Sequence, residues 1–346
     1  MRRLFWLAAV GLLIAAAAAG VLWMRAMGPY KGYAGAEQIV EIPAGSGPAA
    51  IGRRLVDAGV VRDPITWRIA VALAGDAARS LKAGEYRFTE PLAPRDVVAK
   101  LVKGEIDLLR VTFREGLTIA EMAAVYERQG LGTAAAFVEA ASDASLVAAL
   151  DPAATDLEGY LFPDTYGIAR RATPSTLVRA MVARFERVFG PGLREAVKAR
   201  GFTVREAVTL ASLVEKETAV PEERPIVAAV YLNRLRTGMI LQADPTVIYA
   251  LQRAGRYTGN LNRENMAFDS PYNTYRYTGL PPGPIAAPGE GALEAVARPA
   301  DVDYLYFVSR NDGSHVFSRT YDEHRRRVQE YQVEYFRKTK RSEGTR

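Results

Sequence analysis

The stretch Thr209-Leu-Ala-Ser-Leu-Val-Glu-Lys-Glu-Thr218 guides the interpretation of the whole chain. Its apolar residues Leu210, Leu213 and Val214 recur at i, i+3 and i+4, which is the spacing of one helical face. Glu217 occupies the i+7 position and therefore continues the apolar face. Because desolvation disfavours the charged form, we expect the pKa of this carboxyl to be raised.

A second glutamate in the same stretch, Glu215, points towards the side of Ser212 and is expected to stay ionised. A carboxylic acid that is still protonated near neutral pH is what general acid catalysis requires. Glu217 is therefore the candidate acid. The structural alternative is that Glu-Lys-Glu is an ordinary solvated helix end.

Composition limits the class of protein. The chain has 346 residues, enough for two or three domains, and its 49% hydrophobic and 24% charged residues indicate a globular protein. A net charge of +6 suits an anionic surface such as lipid, cell-wall polymer or nucleic acid. The chain has no cysteine, which excludes disulfides, cysteine nucleophiles and thiolate zinc sites.

The N-terminus predicts a membrane segment. Arg2 and Arg3 precede an uncharged run, residues 4–24, which is long enough to span a bilayer core as a helix. A cleaved signal peptide is the alternative, because residues 15–19 are all alanine. Since the apolar run continues through Trp23 to Met24, we predict an uncleaved anchor over residues 1–24, with the N-terminus inside. The Gly- and Ala-rich residues 25–37 are predicted to be a linker.

Residues 38–150 are predicted to form an α/β region that contains an internal duplication. A strand and turn at residues 40–45 precede a helix that stops at Gly59, and the same layout returns 71 residues later, at residues 111–116 and Gly130. Coincidence is the alternative, since strand–turn–helix units are common.

Residues 151–335 are predicted to form a mainly helical domain, followed by a basic tail at residues 336–346. Its predicted elements are helices over 174–189, 204–218 and 223–238, a loop over 256–291, and a β-hairpin around Asn311-Asp-Gly313. The aromatic stretch 157–166 predicts either a sugar-binding cleft or a packed turn. The fold class expected for the whole chain is α+β.

Several classes of enzymatic reaction are excluded because their sequence motifs are missing. The sequence contains no nucleophile elbow, phosphate-binding glycine loop or dinucleotide fingerprint. The two histidines, His315 and His324, lack metal-ligand spacing, so we expect structural roles for both and neither a metal nor a cofactor. Acid–base chemistry on a polar polymer, carried by carboxylates and tyrosines, remains.

Several ordered motifs resemble the endolytic murein transglycosylase family, also described as MltG or YceG-like. The resemblance extends over about residues 38–335, and its motifs are Glu158-Gly-Tyr-Leu-Phe-Pro-Asp-Thr-Tyr166, Leu210-Ala-Ser-Leu-Val-Glu-Lys-Glu-Thr218, Asn233-Arg-Leu235, Leu241-Gln-Ala-Asp-Pro-Thr-Val-Ile-Tyr249, Tyr272-Asn-Thr-Tyr275 and Gly279-Leu-Pro-Pro-Gly283.

The resemblance implies a single-pass inner-membrane protein with its catalytic part in the periplasm and a LysM-like module in one or both strand–turn–helix units. The implied reaction cleaves the MurNAc–GlcNAc β-1,4 bond of nascent peptidoglycan strands and leaves 1,6-anhydro-MurNAc ends. The family's catalytic glutamate falls in Val214-Glu-Lys-Glu-Thr218, and we assign it to Glu217, with Glu215 as the second choice. The residues expected to line the substrate cleft are Glu158, Asn233, Asp244, Tyr272 and Asn273, each of which could instead be a structural turn or cap residue.

The expected partners are glycan strands, the membrane and, by family resemblance, the peptidoglycan synthases that make new strands. An exported domain would not meet nucleic acid. Two other functions remain open: a non-catalytic wall-binding scaffold and a hydrolytic, lysozyme-like enzyme.

Overall fold

The computed structural model describes residues 2–170, 172–335 and 337, which form two compact units. Unit 1 comprises the residues up to Arg110 together with 167–170, and unit 2 comprises residues 111–166 and the described residues from 172 onwards. The division at 110/111 differs from the predicted boundary at 150/151, because the second copy of the predicted duplication belongs to unit 2.

The first helix of unit 1 is α1 (Arg2–Met27). Within the described chain it is the one helix long and apolar enough to cross a membrane, over Ala9–Met27 with a mean hydropathy of 1.8. By length and composition it fits a membrane anchor, and a signal sequence passes the same test.

Residues 28–33 are not the free linker that their composition predicts. The Tyr30 backbone N–H donates to the Leu92 carbonyl at 3.0 Å, and the Gly32 N–H donates to the Gly59 carbonyl at 2.8 Å. These bonds hold the segment after α1 against the body of unit 1.

The rest of unit 1 is a two-stranded antiparallel sheet covered by helices. Its elements are β1 (Gln38–Ile42), α2 (Pro48–Asp57), α3 (Pro64–Ala74), β2 (Gly84–Phe88) and α4 (Pro94–Lys103). Strand alternation turns Val40 and Ile42 of β1 towards a core that also contains Trp67 of α3.

Unit 2 begins with a β-α-α-β arrangement similar to that of unit 1. It consists of β3 (Leu108–Thr112), α5 (Ile119–Arg128), α6 (Ala134–Ala141) and β4 (Thr165–Ala169), with β3 paired to β4. The division between the units falls within these two strands. The glycines that follow α2 and α5 have left-handed backbones, with φ of 70° at Gly59 and 68° at Gly130.

The remainder of unit 2 is mainly helical. The helices are α7 (Pro174–Val188), α8 (Pro191–Ala199), α9 (Val204–Glu217), α10 (Arg224–Arg236), α11 (Asp244–Arg253), α12 (Arg263–Met266), α13 (Glu290–Ala297) and α14 (Tyr321–Val328). Helix α9 is central, since α8, α10, α11 and α13 all pack against it. The predicted loop 256–291 is irregular except for α12 and the start of α13.

The predicted hairpin is confirmed as β5 (Tyr306–Ser309) and β6 (His315–Ser318), which pair antiparallel. Asn311, in the turn, adopts a φ of 66°, a left-handed conformation that asparagine tolerates. The predicted basic tail, residues 336–346, lies outside the described residues except for Arg337.

The aromatic stretch 157–166 is a packed turn, not an open sugar-binding cleft. Tyr160 is 1% exposed, and its hydroxyl donates to Asp151 Oδ2 at 2.6 Å. Gly159 has a φ of 84°, and a Cβ at this position would overlap the ring of Pro284.

We predict that Gly159→Ala destabilises the fold more than Gly201→Ala. Gly201 also has a φ of 84°, but a Cβ there meets nothing within 4 Å, so its substitution measures backbone strain alone, of about 1–2 kcal/mol. The overlap with Pro284 adds roughly 1–3 kcal/mol. Denaturant unfolding should be followed by helical circular dichroism, because all three tryptophans lie in the first 67 residues. Equal losses of stability would contradict the packing argument.

Candidate active site

Helix α9 fixes the position of Glu217. The helix begins at a capping box in which the Thr203 hydroxyl and the Glu206 carboxylate each accept from the other's backbone N–H. Its predicted apolar face is confirmed, since Leu210, Leu213 and Val214 are fully buried. Glu217 is its last residue, so the carboxyl lies where a buried helix ends.

Burial of α9 extends beyond the predicted face to every residue of 207–214. Ser212 is accommodated because its hydroxyl donates to the Thr209 carbonyl at 2.7 Å and accepts from the Ile285 N–H at 3.0 Å. The side of the helix that carries Glu215 is therefore also covered by protein.

The Glu217 carboxyl is half-buried and has one partner. The buried Tyr231 hydroxyl of α10 donates to Glu217 Oε2 at 3.0 Å. Burial raises the pKa of Glu217, and the hydrogen bond from Tyr231 opposes that rise. Within the described chain, Oε1 has no protein partner and remains accessible to solvent. The carboxyl can therefore hold a proton and present it outwards.

Glu215 is also enclosed by protein, with 6% of its side chain exposed. Arg224 Nη2 lies 3.3 Å from its Oε1, and the Gly289 N–H donates to its Oε2 at 2.9 Å. Burial raises the pKa of Glu215 as well, against the opposing effects of the Gly289 N–H and Arg224, so a raised pKa is common to both glutamates. Both Glu215 oxygens bind other parts of the protein, which indicates a structural role.

Asp244 and Tyr275 lie close enough to affect Glu217 electrostatically. Asp244, the exposed first residue of α11, accepts a hydrogen bond from the Tyr275 hydroxyl at 2.5 Å. The negative charge of Asp244 contributes to the raised pKa of Glu217, and the Glu217 charge contributes to the raised pKa of Tyr275, for which burial is the main cause.

A buried cation lies beside the same group. Arg234 is 7% exposed, and it donates to the Leu305 carbonyl at 2.7 Å and to the Leu241 carbonyl at 2.6 Å. Burial lowers the pKa of Arg234, while its positive charge acts to lower that of Glu217. The guanidinium therefore favours the carboxylate that remains after Glu217 has given up a proton.

His315 of β6 is also within electrostatic range of Glu217. Glu223 Oε2 lies 2.7 Å from His315 Nδ1 and accepts from the Thr218 hydroxyl at 3.1 Å, while Glu223 Oε1 accepts from the His315 N–H at 2.7 Å. Although burial acts to raise it, these hydrogen bonds hold the pKa of Glu223 below its usual value. The hairpin is thereby joined to Thr218, the residue after Glu217.

Two of the residues predicted to line the cleft use their side-chain amides in hydrogen bonds to the protein backbone. Asn233 donates from Nδ2 to the carbonyls of Val302 and Tyr304, at 2.9 and 3.0 Å. Asn273 is fully buried, and its Nδ2 donates to the carbonyls of Met266 and Phe268, at 3.0 and 2.8 Å. Both side chains brace irregular segments, so their assignment to substrate binding is replaced by a structural one.

Glu158 and Tyr272 belong to a second group, centred on Tyr249. Glu158 is 7% exposed, and it accepts from the Ile119 N–H at 3.1 Å and from the Tyr249 hydroxyl at 3.3 Å. The rings of Tyr249 and Tyr272 lie 5.0 Å apart, with the Arg253 guanidinium over both. Burial raises the pKa of Glu158 to about 8. Among the five predicted cleft residues, Asp244 is the one whose charge contributes to the raised pKa of Glu217.

Tyr231, Arg234 and Tyr275 were not among the site residues predicted from the sequence, and His315 was predicted to have a structural role. Arg234 and Tyr275 stand inside motifs quoted for the family resemblance, which is the signal that could have selected them. Tyr231 and His315 come near Glu217 through long-range packing, which no local pattern records. Within the described residues, no cluster of three His, Cys, Asp or Glu side chains could hold a metal.

The fold and the site define a chain of two α+β units with a carboxyl–tyrosine site in the second. A model of the YceG-like family matches residues 40–330. The endolytic murein transglycosylase of Bacillus subtilis (strain 168) is 30% identical over 308 residues, covering 84% of this chain and 84% of that protein. The protein of that name in Streptococcus pneumoniae serotype 2 (strain D39) is 32% identical over 324 residues, covering 84% of this chain and 58% of its own length.

A crystal structure of a yceG-like protein from Listeria monocytogenes matches with a TM-score of 0.57 and 30% identity, covering 84% of this chain and 98% of that one. The chain belongs to the YceG-like family.

We predict that Glu158→Gln changes the pH dependence of stability. The unfolded chain loses this proton near pH 4.5, whereas the folded chain keeps it until about pH 8. The wild type should therefore lose stability relative to the variant as pH rises through this window, at a slope approaching about 1.4 kcal/mol per pH unit. Denaturant unfolding at a series of pH values measures the difference.

The exposed Glu222→Gln serves as the matched control, because it removes a carboxylate that the solvent surrounds. Its stability should differ from that of the wild type by an amount that does not change over the same range. A constant difference for Glu158→Gln would show that its carboxyl titrates normally.

Proposed function

We propose that this chain is an endolytic peptidoglycan lytic transglycosylase that cleaves the MurNAc–GlcNAc β-1,4 bond and leaves 1,6-anhydro-MurNAc ends. Membership of the YceG-like family and the names of its relatives support this function. The observation that carries the proposal is the Glu217 carboxyl, whose Oε1 is free while its Oε2 is held by Tyr231.

In the proposed reaction, Glu217 protonates the glycosidic oxygen as the bond from MurNAc C1 to that oxygen breaks. The MurNAc O6 then attacks C1, forms the anhydro ring and returns its proton to Glu217. The acid is regenerated, and no water is consumed. One carboxyl can therefore serve both steps, whereas hydrolytic glycosidases normally use two.

The surrounding groups suit these two steps. Burial favours the protonated form of Glu217 before cleavage, and the Arg234 cation and the Tyr231 hydroxyl favour the carboxylate after it. Asp244 is an exposed anion within electrostatic range, and it can stabilise the positive charge that develops at C1. His315 is held by Glu223 and lies within electrostatic range of Glu217.

A hydrolytic, lysozyme-like reaction is the second candidate. The exposed carboxylate of Asp244 favours it, because a second carboxylate near the acid could activate a water molecule. The mass of the new ends distinguishes the two reactions: hydrolysis adds one water per cleavage, and anhydro formation adds none.

We further propose that α1 is an uncleaved inner-membrane anchor, that the chain after α1 lies in the periplasm, and that peptidoglycan synthases are partners. The helix over Ala9–Met27 supports the anchor, and Arg2 and Arg3 favour an N-terminus inside. The β1–α2–α3–β2 arrangement of unit 1 is the candidate LysM-like module. If the glycan-binding module were the whole function, the chain would be a scaffold and strands would keep their length.

We predict that Glu217→Gln loses at least about a thousandfold in the release of anhydro-ended products, because the amide cannot donate the proton. The full chain in detergent should be incubated with purified glycan strands, and the products weighed by mass spectrometry. Glu222→Gln, a matched change at an exposed position, should retain wild-type activity. Activity of Glu217→Gln at the wild-type level would refute the assignment of the acid.

We predict that Tyr231→Phe moves the alkaline limb of the pH–rate profile upwards. The hydroxyl of Tyr231 stabilises the ionised carboxyl, so its removal raises the pKa of Glu217 further and keeps the acid protonated to higher pH. The rates of product release from pH 5 to pH 9 provide the measurement, at about one-unit intervals. Tyr321→Phe, at an exposed ring, should leave the profile unchanged. An unmoved or lowered limb for Tyr231→Phe would contradict the geometry.

A further inference from the structure

Helix α3 of unit 1 is apolar on the side that faces away from the core as well as on the side that faces it. Its inner residues Thr66, Trp67 and Ala70 are buried. On the outside, Ile65 is 55% exposed and Leu73 is 53% exposed. A helix that is apolar all round is normally covered by protein or by lipid.

The outer face of α3, defined here by Ile65, Ile69 and Leu73, carries a single charge within the helix, that of Arg68. Ile69 is partly buried and lies between the two exposed residues on the helical surface. The three side chains therefore form one continuous strip along the helix.

The proposed anchor ends beside this helix. Ala26, near the C-terminal end of α1, is 1% exposed, and α1 packs against α3 and α4. Arg95 of α4 also reaches Met27, the last residue of α1. The point at which α1 leaves a bilayer is thus in contact with the body of unit 1.

The segment after α1 is hydrogen-bonded to the rest of unit 1, which keeps unit 1 close to the C-terminal end of α1. The backbone bonds from Tyr30 to Leu92 and from Gly32 to Gly59 leave no free linker between the helix and the unit. A bilayer spanned by α1 therefore has its surface next to α3.

Basic and aromatic side chains border the outer face of α3. The Arg62 guanidinium, two residues before α3, lies 4.6 Å from the centre of the Tyr30 ring, and Arg68 projects into solvent. Arginine and tyrosine suit the headgroup layer, where charged and aromatic groups accompany apolar side chains that enter the acyl boundary.

We propose that the outer face of α3 lies in the interfacial layer of the bilayer that α1 spans, so that unit 1 is seated on the lipid surface. This inference rests on the proposed membrane anchor. A lipid occupant accounts for the apolar strip, for its basic border and for its place beside the end of α1, and it needs no further protein.

The absence of cysteine from the sequence allows a direct test, because one introduced thiol is the only site of labelling. Ile65→Cys, Leu73→Cys and Ile39→Cys would each be made in the full chain, labelled with an environment-sensitive fluorophore, and reconstituted into vesicles of phosphatidylcholine and phosphatidylglycerol. Ile39 is the matched control, since strand alternation places it on the sheet face opposite to the core against which α3 packs.

Two quenchers locate each label: a nitroxide attached to the lipid acyl chain, and aqueous iodide. We expect loss of fluorescence with the nitroxide lipid and protection from iodide at positions 65 and 73, and the reverse at position 39. Quenching by iodide at 65 and 73 to the same extent as at 39 would overturn the proposal. Protection from both quenchers would also overturn it, because it would indicate that protein, such as a second copy of the chain, covers the strip.

Flotation of the same vesicles separates the two claims. A chain that does not float with lipid lacks the anchor, which removes the basis of the proposal. A chain that floats while its labels at 65 and 73 remain open to iodide has the anchor but does not place α3 in the interface.

Discussion

The structure of unit 2 depends on one constraint, the burial of a helix that ends in carboxyl groups. Helix α9 is enclosed over residues 207–214, so its C-terminal turn cannot be surrounded by water. Desolvation disfavours the charged form of Glu215 and of Glu217 in this turn, and each carboxyl is stabilised by a different set of neighbouring groups. The α10 tyrosine, the loop before α13 and the β5–β6 hairpin all contribute groups that make this helix end tolerable.

Glu215 and Glu217 show how similar burial gives different chemistry. Glu215 receives a guanidinium and a backbone N–H, so both of its oxygens are used within the protein. Glu217 receives one neutral donor, Tyr231, and keeps an oxygen towards solvent. A raised pKa alone would not separate them, because burial raises it in both. The free Oε1 of Glu217 does distinguish it from Glu215, because a general acid must contact the atom to which it transfers its proton.

Local patterns predicted the elements that are determined locally, such as the apolar face of α9 and the β5–β6 hairpin. They failed where the role of a side chain depends on distant backbone. Asn233 and Asn273 have the side chains of sugar-binding residues, yet their amides are used to hold segments 302–304 and 266–268. The partners of Asn233 lie about seventy positions along the chain, so no sequence window contains them.

Residues 25–37 illustrate the same limit for backbone groups. Glycine-rich composition predicts flexibility, because glycine lacks the side chain that restricts the backbone. Glycine also allows close backbone approach, and here a Cβ at Gly59 would meet the Gly32 carbonyl carbon at 2.8 Å, while the two backbones are joined by a hydrogen bond. Composition cannot distinguish a free linker from a docked one, because the docking bonds use backbone atoms that every residue has. The docked segment fixes the end of α1 against unit 1, and the proposed placement of the outer face of α3 at a lipid surface depends on this connection.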